Sequence, residues 1–346
     1  MKTKLTRRSV LAGALSSAAT LATRRAFAAD YPAMSIKFGD IINRNFGYYQ
    51  GMVAFKDEVE KRTDGKIKIE LISDGKLGSP KDALEAVRLG AVQLSMNAGS
   101  YTQNIVPEHG IWDLPFLFKN RTAWNALAYG PLGQEIGDKI ERHELKFLSW
   151  CSAGGRGILS KKPMAGPADF AGQKVREQPD PVLVDFIKSV NGQPVVMNLG
   201  DVYTSLQQGI LDAADVSIEL VTSFKFYETA KYYTEIQHIV TPGIVVANKD
   251  WWQKLNKDTQ ALFEDVIKTR FRKVNDGWFV DVDPSASIEK QREAMKLLTD
   301  KGVTIVKPDI AGLKKASLGV FGSQKAKIGN ELVDRVIRLV DYSSSA

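Results

Sequence analysis

The chain has 346 residues, of which 47 are Lys or Arg and 40 are Asp or Glu, giving a formal charge of +7, and 44% are hydrophobic. That length exceeds what one hydrophobic core usually serves, so two lobes are expected. A single cysteine, Cys151, excludes an internal disulfide, and stability must come from packing.

Residues 1–28 read as a removed targeting segment. Basic Lys2, Lys4, Arg7 and Arg8 precede an apolar, small-residue run from Val10 to Ala22, and Ala26-Phe27-Ala28 has the small-x-small form that signal peptidase cuts. The twin Arg7-Arg8 before a weakly hydrophobic stretch is the address of the route that exports folded proteins. The run is shorter than the roughly 20 residues a spanning helix needs, and no later stretch is long and apolar enough, so no membrane insertion of the mature chain is expected. Six basic residues (Lys2, Lys4, Arg7, Arg8, Arg24, Arg25) and no acid lie in this segment, and taking six from +7 leaves a mature chain near +1. The remaining Lys and Arg are interleaved with Asp and Glu, which excludes nucleic-acid binding.

In the mature chain, Met52, Phe55 and Val59 recur at helical spacing, and Ile67, Ile69 and Leu71 alternate with Lys66, Lys68 and Glu70 as in a half-buried strand. Ser79-Pro80 opens a helix through Ala83, Leu84 and Val87 that stops at Gly90, and a strand is expected over 91–96. Trp112 to Phe118 is an apolar run broken by Pro115, expected near the lobe junction, and Ser149-Trp150-Cys151 reads as a strand end. The pattern then repeats: strand 174–177, a helix carrying Leu183, Phe186, Ile187 and Val190, strand 195–197, helix 201–208 and strand 212–217. Helices alternating with short strands in two stretches predict an α/β fold of two lobes, each with a mainly parallel sheet. Residues 256–301 are helical in type and interrupted by Pro284, and Leu332, Val336 and Leu339 mark a final amphipathic helix.

Enzyme signatures are missing. His109, His143 and His238 stand in no metal-ligand spacing, so no metal or other cofactor is expected, and Cys151 reads as an inert core residue. Gly154, Gly155 and Gly157 lack the Lys-Ser/Thr pair of a phosphate loop. What remains is Arg156 and Arg176, whose neighbours suggest strand ends, where a guanidinium can present its planar fork to a carboxylate. Periodicity alone does not separate that role from a structural ion pair.

Several blocks in order decide between them. Gly65-Lys-Ile-Lys-Ile-Glu-Leu-Ile with Gly75-Lys-Leu-Gly78, Trp112-Asp-Leu-Pro-Phe-Leu-Phe118, Asp201-Val-Tyr-Thr-Ser-Leu-Gln-Gln-Gly-Ile-Leu-Asp212 and Phe226-Tyr-Glu-Thr-Ala-Lys-Tyr232 span the mature sequence. With them the chain resembles the solute receptors of tripartite ATP-independent periplasmic (TRAP) transporters, the DctP-type family. The resemblance implies a non-enzymatic periplasmic receptor with a two-lobed binding-protein fold, a ligand cleft between the lobes and long helices after the second α/β stretch. It also implies a small organic acid as ligand, hinge closure upon it, and the membrane components of a TRAP transporter as partners.

Lobe I is expected over 30–153 plus 242–281, and lobe II over 154–241 plus 282–346. In the family an arginine at the position of Arg176 pairs with the ligand carboxylate, and one at the position of Arg156 assists. The family's Asp-Gly-Gln-Glu-Asn-Pro is here Asp212-Ala-Ala-Asp-Val-Ser217, so Asp215 stands for the glutamate and Val216 for the asparagine, which suggests a less hydroxylated ligand than a sugar acid. Tyr101, Trp112 and Phe116 are the expected ring wall of the site. The alternatives are a receptor for an ATP-driven importer or sensor kinase, and an exported hydrolase or lyase using Asp215 with a tyrosine.

Overall fold

The computed structural model describes residues 30–273 and 289–342; the targeting segment and Pro284 lie outside them. The first lobe begins β1 (Met34–Gly39), α1 (Gly47–Arg62), β2 (Ile67–Ile72), α2 (Pro80–Arg88) and β3 (Leu94–Ala98). β1 pairs in parallel with both β2 and β3. The α1 helix buries Met52, Phe55 and Val59. At the start of α2, Ser79 accepts from the Asp82 backbone N–H while the Asp82 carboxylate accepts from that of Ser79 at 2.8 Å, satisfying donors the helix cannot use. β3 starts later than the alternation predicts, because Gly90 turns the chain at φ +77° and the Val92 N–H bonds back to Ala86.

After α3 (Arg121–Ala128) and α4 (Pro131–Asp138) comes β4 (Leu145–Ser160), a strand of 16 residues. The second lobe follows with β5 (Lys174–Glu177), α5 (Pro181–Ser189), β6 (Gln193–Val196), α6 (Val202–Gln208), β7 (Ala213–Ser217), α7 (Ile218–Ser223) and β8 (Tyr232–Thr234). β9 (Val240–Asn248) returns to the first lobe, where α8 (Lys249–Lys254) and α9 (Lys257–Val266) pack, α9 running on into a π turn at Ile267–Phe271. Then come α10 (Glu289–Asp300), β10 (Thr304–Val306), α11 (Ile310–Ile328) and α12 (Asn330–Leu339). Among the described residues no helix is long and apolar enough to cross a membrane.

The strands line up as β2-β1-β3-β9-β4-β7-β5-β6, with β8 on β4 and β10 on β8. Each half keeps its parallel pairs, yet β9 is antiparallel to β3 and β4, and β4 to β7 and β8, so the sheets are mixed rather than mainly parallel. Nor does a strand end near Cys151. β4 pairs with β9 from Leu145, passes an irregularity between Ser152 and Gly155, and continues against β7 from Arg156. Gly154 takes φ +79° there, so this run of small residues bends one strand from the first sheet into the second instead of ending it.

The first-lobe core gathers Trp112, Trp124, Trp150 and Ile244 with Leu332, Val333 and Val336 of α12. The last helix therefore packs on the first lobe, although its position in the chain assigns it to the second. α11 buries Leu313 beside Phe186 of the second-lobe core and Val320 and Ile328 in the first-lobe core, so it braces both.

Candidate functional site

Between the lobes lies a cavity of about 520 Å³, counted out to its mouth. The first lobe contributes Ile42, Phe46, Tyr48, Met96 and Tyr101, and the second contributes Arg156, Arg176, Gln178, Leu199 and Leu220. Ile42, Asn97 and Gln178 follow or close β1, β3 and β5, which is where open α/β sheets collect ligands.

The two arginines differ in what they already hold. Arg156 donates through Nε to Asp215 Oδ1 at 2.9 Å, and through Nη2 to Glu177 Oε2 at 3.0 Å and the Asp215 carbonyl at 2.6 Å. His238 Nε2 contacts the other Asp215 oxygen at 2.9 Å. Burial opposes charge on Arg156, but Asp215 and Glu177 overcome it and raise its pKa. Burial also works against the Asp215 carboxylate, yet Arg156 and then His238 hold it well below the usual carboxylate range. Glu177 goes the other way: burial first and Asp215 second push its pKa well above the usual carboxylate value.

Arg176 is 2% exposed and donates through Nε to the Met197 carbonyl at 3.2 Å, but it has no ion pair among the described residues. Burial lowers its pKa, as expected of a desolvated cation without an acid partner. The Tyr101 hydroxyl faces it; burial raises the phenol's pKa while Arg176 and Arg156 pull against that. Gln178, two residues along on the same side of the strand, has an amide nitrogen without a partner.

A second pair of acids links the lobes below this cavity. Asp180 Oδ1 caps α5, accepting from Val182 N at 2.8 Å and Leu183 N at 3.1 Å, and its carboxyl meets that of Asp113, which accepts from Ser100 Oγ at 3.2 Å. Burial, then Asp180, pushes the pKa of Asp113 well above the usual carboxylate value.

A family model spans most of this architecture. Residues 38–321 match the model described as bacterial extracellular solute-binding protein, family 7 (DctP). The chain belongs to that family. It is 27% identical over 305 residues to a solute-binding protein of Roseobacter denitrificans, covering 88% of this chain and 90% of the relative. It is 26% identical over 337 residues to the C4-dicarboxylate-binding periplasmic protein DctP of Rhodobacter capsulatus, covering 96% and 98%. Among solved structures, a TRAP periplasmic solute binding protein of Sulfitobacter with bound β-D-galacturonate superposes with a TM-score of 0.81 at 27% identity, covering 89% of this chain and all (100%) of that one. One from Pseudomonas putida with bound D-glucuronate gives 0.79 at 27%, covering 88% and 96%.

Of the residues singled out by sequence, Arg156, Arg176 and Tyr101 line the cleft. Asp215 stands behind it as the partner of Arg156. Val216, the next residue on β7, points to the opposite side and is buried with Leu159 and Leu206. Trp112 is core, its ring 4.8 Å from Trp150 and 5.6 Å from Trp124. Phe116, at φ +56°, contacts Phe186 and His238 and borders a separate, open groove of about 1720 Å³ with Ile236, Ile305 and Lys314. That groove is larger than the cleft but holds neither arginine. Sequence reading missed Ile42, Phe46, Tyr48, Met96, Gln178, Leu199 and Leu220. The strand-end rule could have pointed to Ile42 and Gln178, whereas the apolar residues carry no signal that distinguishes a cleft wall from core.

Proposed function

We propose that this protein is a periplasmic receptor that takes up a small organic carboxylate in the interlobe cleft, closes on it, and delivers it to the membrane components of a TRAP-type secondary transporter. The observation that carries the reading is Arg176, a buried guanidinium facing the cavity with no ion-pair partner among the described residues. In this reading the ligand carboxylate supplies the missing charge through two parallel hydrogen bonds to the fork. Tyr101 and Gln178 complete the donor set, and Arg156 adds positive potential while remaining tied to Asp215. Closure excludes water, and the falling dielectric strengthens the pair. The irregularity at Gly154, where β4 leaves one sheet for the other, is the natural flexing point. The targeting segment is removed on export, and the receptor transforms nothing.

The carboxylates named for the relatives, a C4-dicarboxylate and two uronates, support the acid class of ligand. A thermal-shift screen of organic acids tests it. A ligand at 100 times its dissociation constant stabilises the folded state by about 2.7 kcal/mol, which raises the melting temperature measurably. A response to neutral sugars or amines, and to no carboxylate, would refute the reading.

A further inference from the structure

The cleft holds one cation without an ion-pair partner among the described residues, and its larger side chains are otherwise mainly apolar. Arg156 is committed to Asp215 and Glu177. No other Lys or Arg of the described residues lines the cavity. Asn97 is spent internally, donating to the Pro80 carbonyl at 3.0 Å and accepting from Ala98 N at 3.0 Å. The remaining donors near Arg176 are Tyr101 and Gln178, about the number one carboxylate can use.

The rest of the wall is mostly apolar, with Ile42, Phe46, Met96, Leu199 and Leu220 the large side chains and Thr241 a polar one. The Tyr48 hydroxyl there has no partner, and Glu219, Asp113 and Asp40 act on it electrostatically. A second carboxylate at this end would meet no cation, and a row of hydroxyls would lose water and find few partners.

Resting on the reading of the cleft as a carboxylate site, we infer that the ligand is a monocarboxylate with a short apolar tail, and that this receptor discriminates against dicarboxylates and sugar acids. Arg176, Tyr101 and Gln178 use up the polar capacity of the site at the carboxylate end, and the tail lies against Phe46, Met96 and Leu220. The discrimination follows from burial: the tail gains by leaving water, whereas charges or hydroxyls placed there lose hydration.

The test is calorimetry on the full mature protein with butanoate, pentanoate, hexanoate, succinate and D-glucuronate, repeated with Arg176→Ala and Leu220→Asn. Each added methylene is expected to tighten binding about four-fold until the cavity is full. Succinate, with the same carbon count as butanoate, is expected to bind at least about ten-fold more weakly than butanoate. Leu220→Asn is expected to flatten the methylene series while the melting temperature shows the variant folded. Succinate or D-glucuronate binding more tightly than every monocarboxylate, and lost in Arg176→Ala, would overturn this inference and leave the carboxylate receptor standing. Binding of no carboxylate, or binding indifferent to Arg176→Ala, would overturn both.

Discussion

Replacing Arg176 separates a ligand anchor from a structural ion pair, because the two roles predict opposite effects on the empty protein. The side chain is 2% exposed, it donates from Nε to the Met197 carbonyl at 3.2 Å, and no acid among the described residues forms an ion pair with it. As a ligand anchor, its fork would meet a desolvated carboxylate in the bound state. Truncating one partner of such a buried, hydrogen-bonded pair costs about 2–5 kcal/mol, so Arg176→Ala should weaken binding by about 30-fold to several-thousand-fold. Arg176→Lys keeps the charge but loses one charge-assisted hydrogen bond of about 1.5–3 kcal/mol, a loss of roughly ten-fold to a hundred-fold. In the empty protein the charge is an uncompensated cost, and Arg176→Met, which fills much of the same volume, should leave the melting temperature unchanged or raise it. Calorimetry and thermal unfolding on the same samples provide both readouts. Near-normal affinity combined with a clear drop in melting temperature for Arg176→Met would refute the reasoning.

Three further outcomes follow from the geometry. Arg156→Met strips Asp215 and Glu177 of their cation and should cost about 3–5 kcal/mol in chemical denaturation; an unchanged midpoint would mean that the cluster is not structural. Gly243→Ala would place a methyl 2.3 Å from Met96 Cε and 2.6 Å from both Cys151 Sγ and the Tyr48 hydroxyl, costing about 1–3 kcal/mol and disturbing two cleft residues, so stability and affinity should fall together. Burial, against the pull of the Gly47 N–H at 2.8 Å, lifts the pKa of Glu219 from 4.5 to about 8, and burial lifts Asp40 from 3.8 to about 8. Both are raised on folding, so their stabilising contribution is whole below the unfolded values and lost as pH climbs through about 8. Between pH 5 and 8 stability should decline by up to about 1.4 kcal/mol per pH unit for each group. Glu219→Gln, which keeps an acceptor for Gly47, should flatten that decline in melting temperature against pH; an unaltered slope would exclude Glu219 as a source.

The sequence by itself determined the local elements and singled out two arginines that line the cleft. Short-range rules place Ser79 at a cap, Met52, Phe55 and Val59 on one helix face, and Lys174–Glu177 in a strand, since each depends on residues a turn or a pleat away. Motif order pointed to the family and, through it, to Arg176. Tertiary structure alone decided the rest. That β4 continues through Gly154 into a second sheet depends on strands β9 and β7, which lie far along the chain and arrive from opposite sides. That Arg156 is tied up and Arg176 is not depends on where Asp215, Glu177 and His238 converge. Trp112 and Phe46 are both large, apolar and buried, yet one packs on Trp150 and the other faces the cleft, because an apolar side chain carries no local mark of which surface it will meet.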